Sequence, residues 1–304
     1  MKVCIIQPQY SVQYEDSDKC FAEMLNMLDR CDSSIDLIVL PEYSDVPALA
    51  HNSDAFLNSQ KNYTQCVLRK AAETARRCQA LVFVNARSDT KSGWRNTTHA
   101  INQKGENVGK YYKRHMVASE EKRPGIDRSY CYRYEKPYVV EIDGVRYGFL
   151  TCYDFYFYES YSQLALQNVD VIIGCSHQRS GTHQALDIIG RFVAYHTNAY
   201  LLRSSVSMGE DFGLGGCSMI VAPDGTKLAD LHSKIGMVCC ELNPHEKYWK
   251  PAGFGGDTMA HYSYIEKGRH PWNYRIGGPA IIPDDDHVPY PRVCAHRGFN
   301  TIAP

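Results

Sequence analysis

Gly148-Phe149-Leu150-Thr151-Cys152-Tyr153-Asp154-Phe155-Tyr156-Phe157-Tyr158-Glu159 is the stretch on which the fold reading turns. The apolar run Val145-Arg146-Tyr147-Gly148-Phe149-Leu150 follows a turn signal, Ile142-Asp143-Gly144, so it reads as the second strand of a hairpin. Cys152 falls where that strand ends, and the aromatic residues after it lead into a helical pattern over roughly 159–167. A thiol on a sharp strand-to-helix turn is presented as in a nucleophile elbow, with its side chain exposed at the top of a sheet. The next backbone N–H, that of Tyr153, would face whatever the sulfur attacks and supply half of an oxyanion hole. Taken alone, such a cysteine reads as a small buried hydrophobe. The rest of the chain decides between the two readings.

Working outward, Met1-Lys2-Val3-Cys4-Ile5-Ile6-Gln7-Pro8 reads as a first strand over 2–7, stopped by Pro8. Its apolar core is too short for a signal peptide, and no small-residue cleavage site follows. Phe21, Met24, Leu25 and Leu28 predict an amphipathic helix over roughly 17–31. Asp36-Leu37-Ile38-Val39-Leu40 is an unbroken apolar run, as expected of a strand buried on both faces. Pro41 ends its ladder, so Glu42 stands just past a buried strand, where sheet-based sites gather. A helix over roughly 61–78 feeds a strand at 80–85. Strands at 96–102 and 107–112 form a hairpin through Lys104-Gly105-Glu106, and Lys113 emerges at its end. Strands at 137–142 and 170–175, a polar loop with His177 and Arg179, and a long helix at 182–197 come next. The strands at 199–206, 217–222, 226–231 and 236–242 complete a second set of the same kind. This alternation predicts an α/β architecture with sheet layers inside and helices outside. Residues 1–245 read as one domain and 246–304 as a Pro-, Gly-, His- and Tyr-rich extension that wraps a neighbour or lies on the surface.

The bulk properties exclude several classes. With 304 residues, 44% of them hydrophobic, and a net charge of −1, no basic surface for nucleic acid is expected. No apolar stretch approaches the length a bilayer demands, so no membrane association is expected. Twelve irregularly spaced cysteines in a long chain without an export signal predict reduced thiols and a cytoplasmic location. Cys239-Cys240 with His232 and His245 hint weakly at a metal. Adjacent cysteines on a strand face opposite ways, so no metal site is expected. Asp284-Asp285-Asp286 near His287 reads as a solvated turn.

Glu42, Lys113 and Cys152 each follow a predicted strand. Singly each is unremarkable; together they set a carboxylate, an ammonium and a thiol at strand ends. The stretches Leu40-Pro41-Glu42, Tyr112-Lys113-Arg114-His115-Met116 and Thr151-Cys152-Tyr153-Asp154 resemble the three motifs of the nitrilase superfamily of carbon–nitrogen hydrolases. Asn96, Gly105, Arg191 and the run from Gly215-Gly216 through Ser218 to Pro223-Asp224-Gly225 fit as secondary markers. The resemblance covers about residues 1–245, in order and spacing. It implies a four-layer α-β-β-α sandwich, usually dimerised through the sheet-flanking helices, with a Glu–Lys–Cys triad and no cofactor.

By position, the resemblance makes Cys152 the nucleophile and Glu42 the general base. Lys113 and the Tyr153 N–H become the oxyanion's partners, and a second glutamate after the lysine falls on Glu120 or its rival Glu121. The implied chemistry is hydrolysis of a small amide or N-carbamoyl group through a thioester, with acyl transfer to an amine and nitrile hydrolysis as alternatives. Where many relatives carry a basic residue soon after the cysteine, this chain has Phe155-Tyr156-Phe157-Tyr158. Aromatic walls including Tyr156 would favour an apolar or extended substrate, while His177 or Arg179 could meet a carboxylate. The last stretch, Arg292 to Pro304, resembles the opening of a glycerophosphodiester phosphodiesterase domain.

Overall fold

Two apolar strand sets of equal size organise the chain. In the computed structural model, which describes residues 1–132 and 136–268, each set becomes a six-stranded mixed sheet. The first half runs β1 (Lys2–Gln7), α1 (Ser17–Asp29), β2 (Leu37–Val39), α2 (Ser53–Cys78), β3 (Leu81–Thr90), β4 (Gly93–Ile101), β5 (Asn107–Tyr112) and α3 (Ala118–Glu121). The second runs β6 (Val139–Ile142), β7 (Val145–Thr151), α4 (Tyr158–Leu166), β8 (Val171–Cys175), α5 (His183–Thr197), β9 (Tyr200–Ser204), β10 (Met219–Val221), β11 (Lys227–Asp230) and β12 (Gly236–Glu241). The sheet orders are β12-β1-β2-β3-β4-β5 and β11-β10-β9-β8-β7-β6. Each has a parallel core of three strands, β1-β2-β3 and β7-β8-β9, flanked by antiparallel partners.

The apolar contacts show the layers. Val39 and Phe83 of one sheet meet Phe149, Ile173 and Leu202 of the other in a shared inner core. The opposite face of the first sheet packs on α1 and α2 through Leu28, Val67 and Ala71. The second sheet packs on α4 and α5 through Leu164, Leu186 and Val193. Strands buried on both faces need continuous apolar runs, which is why the segments at 36–40 and 170–175 carried no alternation. The result is the expected α-β-β-α sandwich.

Several boundaries moved. Helix α2 begins eight residues before the predicted start, at Ser53, because the Asn52 side chain accepts from the Ala55 N–H and caps it. Strand β3 continues past Asn85 to Thr90, paired with β4 from Val82 to Thr90. In the extension, β13 (Trp249–Pro251) and β14 (Thr258–Ala260) pair as a small hairpin. Just before it, the Lys247 ammonium donates to the Val169 carbonyl, and Tyr248 exchanges hydrogen bonds with Asn198. The chain divides into two units, Met1–Tyr262 and Ser263–Pro304. The aspartate run at 284–286 and the phosphodiesterase-like stretch lie outside the described residues. None of the eleven described cysteines is disulfide-bonded. No described helix is long and apolar enough to cross a membrane.

Candidate active site

Glu42, Lys113 and Cys152 each sit just past the carboxyl end of a strand, with Asn85 and Asn96 on neighbouring strands and Glu120 on α3 around them. After β2, Pro41 ends the ladder and the chain turns sharply. Tyr43 adopts a left-handed backbone (φ 53°), and its N–H donates to the Asn85 side-chain oxygen at 2.9 Å. The Glu42 N–H donates across to the Ser176 carbonyl of the other sheet, at 3.3 Å. Glu42 is thereby turned inward and left 1% exposed.

Lys113 leaves β5 with its N–H on the Asn96 carbonyl and its own carbonyl held by the Tyr130 hydroxyl at 2.6 Å. Its ammonium donates to Glu42 Oε1 at 2.8 Å and to Glu120 Oε2 at 2.6 Å. The Asn96 amide donates to both carboxylates, each at 2.8 Å, and Tyr43 donates its hydroxyl to Glu120 Oε1. Asn85 in turn donates to the Asn96 oxygen at 2.8 Å. The structure therefore separates the two glutamates that the sequence left open. Glu120 is buried in the network, whereas Glu121 lies at the surface, accepting from Tyr132 and facing Arg128.

Cys152 follows β7 in a left-handed conformation (φ 48°) and starts a 3-10 turn, Cys152–Tyr156. A β-carbon at positive φ costs on the order of 1–3 kcal/mol unless its surroundings enforce it. Asp154 does the enforcing. One carboxylate oxygen accepts from the Thr151 N–H and the Tyr111 hydroxyl; the other accepts from the His115 N–H. The thiol is thereby set against the Glu42 carboxylate, near the Lys113 ammonium and the His177 backbone amide.

Charge balance in this dry site follows from burial. Desolvation, opposed by Lys113, raises Glu42 above the ordinary carboxylate range. Burial alone would lower Lys113, but the Glu120 and Glu42 carboxylates outweigh it and hold the ammonium well above the usual lysine value. Burial, helped by Glu42 and opposed by Lys113, raises the Cys152 thiol. Burial, with Arg179 and Lys113 adding to it, keeps His177 neutral, well below its usual value.

The three side chains open into a cavity of about 730 Å³. Tyr153, Tyr156, His177 and Arg179 all line it, as expected from their places in the sequence. The reading of the aromatic run as its wall holds only for Tyr153 and Tyr156. Phe155 is 2% exposed and packs over Gly174, where an added β-carbon would sit 2.7 Å from its ring. Phe157 stacks on His115 at 3.8 Å between ring centres. The other aromatic walls come from distant segments, namely Tyr10, Tyr43, Phe56 and Phe212. Of the secondary markers, Arg191 holds the Gly225 carbonyl at 2.9 Å. Gly216 runs at φ 65°, with the His232 carbonyl where a β-carbon would go. Sequence reasoning named Asn96 without its bridging role and missed Asn85, Tyr43 and the Asp154 clamp. The available signal was a polar residue interrupting an apolar strand (Asn85) or following the elbow (Asp154).

Cys239 and Cys240 point to opposite sides of β12, Cys239 beside Cys4 and Cys240 into the core between the sheets. Among the described residues, the group that brings metal-ligating atoms together is His183, Cys217 and His232, all within 4.8 Å of one another.

A family model described as carbon-nitrogen hydrolase matches residues 2–245. A curated relative described as a hydrolase in the pqqF 5′ region of Pseudomonas protegens is 28% identical over 136 residues. That match spans 44% of this chain and 46% of the relative, so less than half of the relative's length is covered. Among solved structures, the chain resembles the amidase from Nesterenkonia sp. AN1, in a form with acrylamide added at the active-site cysteine. The TM-score is 0.65 at 16% identity, over 80% of this chain and 93% of that one. A variant of the same amidase, described as from the nitrilase superfamily, gives a TM-score of 0.67 at 15% identity over 90% and 96%. The family model covers residues 2–245, and the chain belongs to the carbon-nitrogen hydrolase family.

Proposed function

We propose that the protein hydrolyses the C–N bond of a small non-peptide amide or N-carbamoyl compound through a thioester on Cys152. The observation that carries this reading is the contact of the Cys152 thiol with the buried Glu42 carboxylate, itself bonded to the Lys113 ammonium. Glu42 takes the thiol proton as the sulfur attacks the carbonyl carbon. The oxygen of the tetrahedral intermediate gains its negative charge beside the Lys113 ammonium and the Tyr153 N–H, which stabilise it without reorganising. When the intermediate collapses, the C–N bond breaks and the leaving nitrogen carries off the proton from Glu42. Water then enters, Glu42 deprotonates it, and its oxygen attacks the thioester. Collapse of the second intermediate releases the acid and returns the proton to sulfur. Glu120, Asn96 and Tyr43 position the pair through Lys113 and Glu42.

The test is to quench turnover across a panel of amides, carbamoyl amines and nitriles, then weigh the Cys152 peptide by mass spectrometry. An acyl adduct on that peptide, with ammonia or amine released, is expected. Ammonia release with no adduct at any quench time removes the thioester. We also propose a homodimer through the α4–α5 face, supported by the exposed apolar side chains Leu166, Ile188 and Phe192. A single-chain mass in sedimentation equilibrium removes it.

A further inference from the structure

Beyond the reacting centre, the cavity carries two more cations. Arg179 and Arg123 both line it. The Arg179 guanidinium lies 4.9 Å from the centre of the Tyr10 ring, and that of Arg123 lies 4.0 Å from the centre of the Phe56 ring. Neither is ion-paired with a carboxylate among the described residues; the nearest polar contact of Arg179 is a long one, 3.4 Å, to the Tyr10 hydroxyl. In a chain of 33 basic and 34 acidic side chains, two cations in one cavity without an acid call for a reason. The cavity's own carboxylates do not supply a partner, because Glu42 and Glu120 are both taken by Lys113. Stacking on an aromatic face fixes a guanidinium while leaving its N–H edge to donate, and that edge matches a planar carboxylate or a phosphate. Both guanidiniums also act on the Tyr10 hydroxyl, so they share one neighbourhood.

We infer that Arg179 and Arg123 form an anion subsite, so that the substrate carries a carboxylate or phosphate at the end remote from the scissile C–N bond. This rests on the amidase reading above and narrows it to amides or carbamoyl compounds of acids. The cavity volume of about 730 Å³ leaves room for such an extended molecule. The aromatic lining then serves its chain, and the guanidiniums its charged end.

The experiment uses the full chain in two arms. In the first, ammonia release is followed for ω-amide acids with two to five carbons between the groups, and for their neutral methyl esters. The wild type should favour an acid over its ester by about tenfold to hundredfold in kcat/KM, the range of a charge-assisted hydrogen bond. Arg123→Gln with Arg179→Gln should collapse that ratio through KM, and the two Arg→Lys changes should retain part of it. The second arm needs no turnover. Alkylation of Cys152 by iodoacetamide is timed on its peptide in the presence of glutarate, inorganic phosphate or neutral pentane-1,5-diol. Protection by an anion and not by the diol, lost in the double Gln variant, is expected, and the stronger anion identifies the group. A wild-type ratio near one, or a diol that protects as well as both anions, overturns the subsite. Anion protection without release of ammonia from any amide upholds the subsite and removes the amidase reading.

Discussion

The two walls of one cavity are built on opposite principles. On the Glu42 side, charges are buried, each carboxylate is bonded to the same ammonium, and Asn96 bridges both. On the Arg179 side, cations are half-exposed, lie on aromatic rings, and have no carboxylate partner among the described residues. The first wall leaves little room for variation, because removing one member of a buried ion network strands the others. The second can change at small cost to folding. Under the two proposals above, chemistry falls to the closed wall and selection of substrate to the open one.

The largest expected effect falls on the closed wall. Cys152→Ala should lower amide turnover by on the order of 10⁴-fold or more while the chain stays folded. Steady-state ammonia release checks this, and turnover within tenfold of wild type would place the nucleophile elsewhere. Glu42→Gln should cost roughly 10²–10⁴-fold, as loss of a general base does. In the wild type this group also sets the acid limb of the pH profile. Glu42 is raised by burial, so its carboxylate takes up a proton above the ordinary carboxylate range. Activity needs the free carboxylate, so it should fall as pH drops through that raised value. An acid limb at the ordinary glutamate pKa, measured in kcat/KM, would contradict the dry environment.

Lys113→Met sharpens the comparison through stability. It leaves Glu42 and Glu120 buried without their cation, which should cost about 3–5 kcal/mol in urea unfolding. Adding Glu120→Gln should restore part of that loss. An unchanged midpoint for Lys113→Met would mean that the closed wall tolerates the loss of its cation as the open wall is expected to. The smallest effect separates neighbours one residue apart. Glu120→Gln should slow turnover about tenfold to hundredfold, the scale of a lost charge-assisted contact. Glu121→Gln, at the surface, should change stability by no more than about 0.5 kcal/mol and leave turnover close to wild type. Equal effects at both positions would erase the distinction that the Lys113 contact draws.

The closed wall was legible in the sequence because its residues follow strand ends. An apolar run that stops at Pro41 or Thr151 announces where a buried sheet gives out, and Glu42 and Cys152 are the next residues. The layers were legible for the same reason, since double-faced burial requires unbroken apolar strands such as 37–39 and 171–175. The choice between Glu120 and Glu121 was not legible, because a one-residue step on a single helical turn reverses which carboxylate faces inward. Only the Lys113 ammonium and Asn96 amide, brought in from β4 and β5, decide it.

By itself, then, the sequence determined the α/β layering, because strand periodicity is a local property, and its three motif stretches, through their resemblance to a known family, singled out Glu42, Lys113 and Cys152 at strand ends. The tertiary structure alone decided which aromatics face the cavity. The run after Cys152 looked like one wall, yet Phe155 turns into the core over Gly174, and Tyr10, Phe56 and Phe212 arrive from elsewhere. It alone also set Arg123 and Arg179 on those rings without an acid between them. Such placements depend on contacts between residues far apart in the chain, which no local pattern encodes.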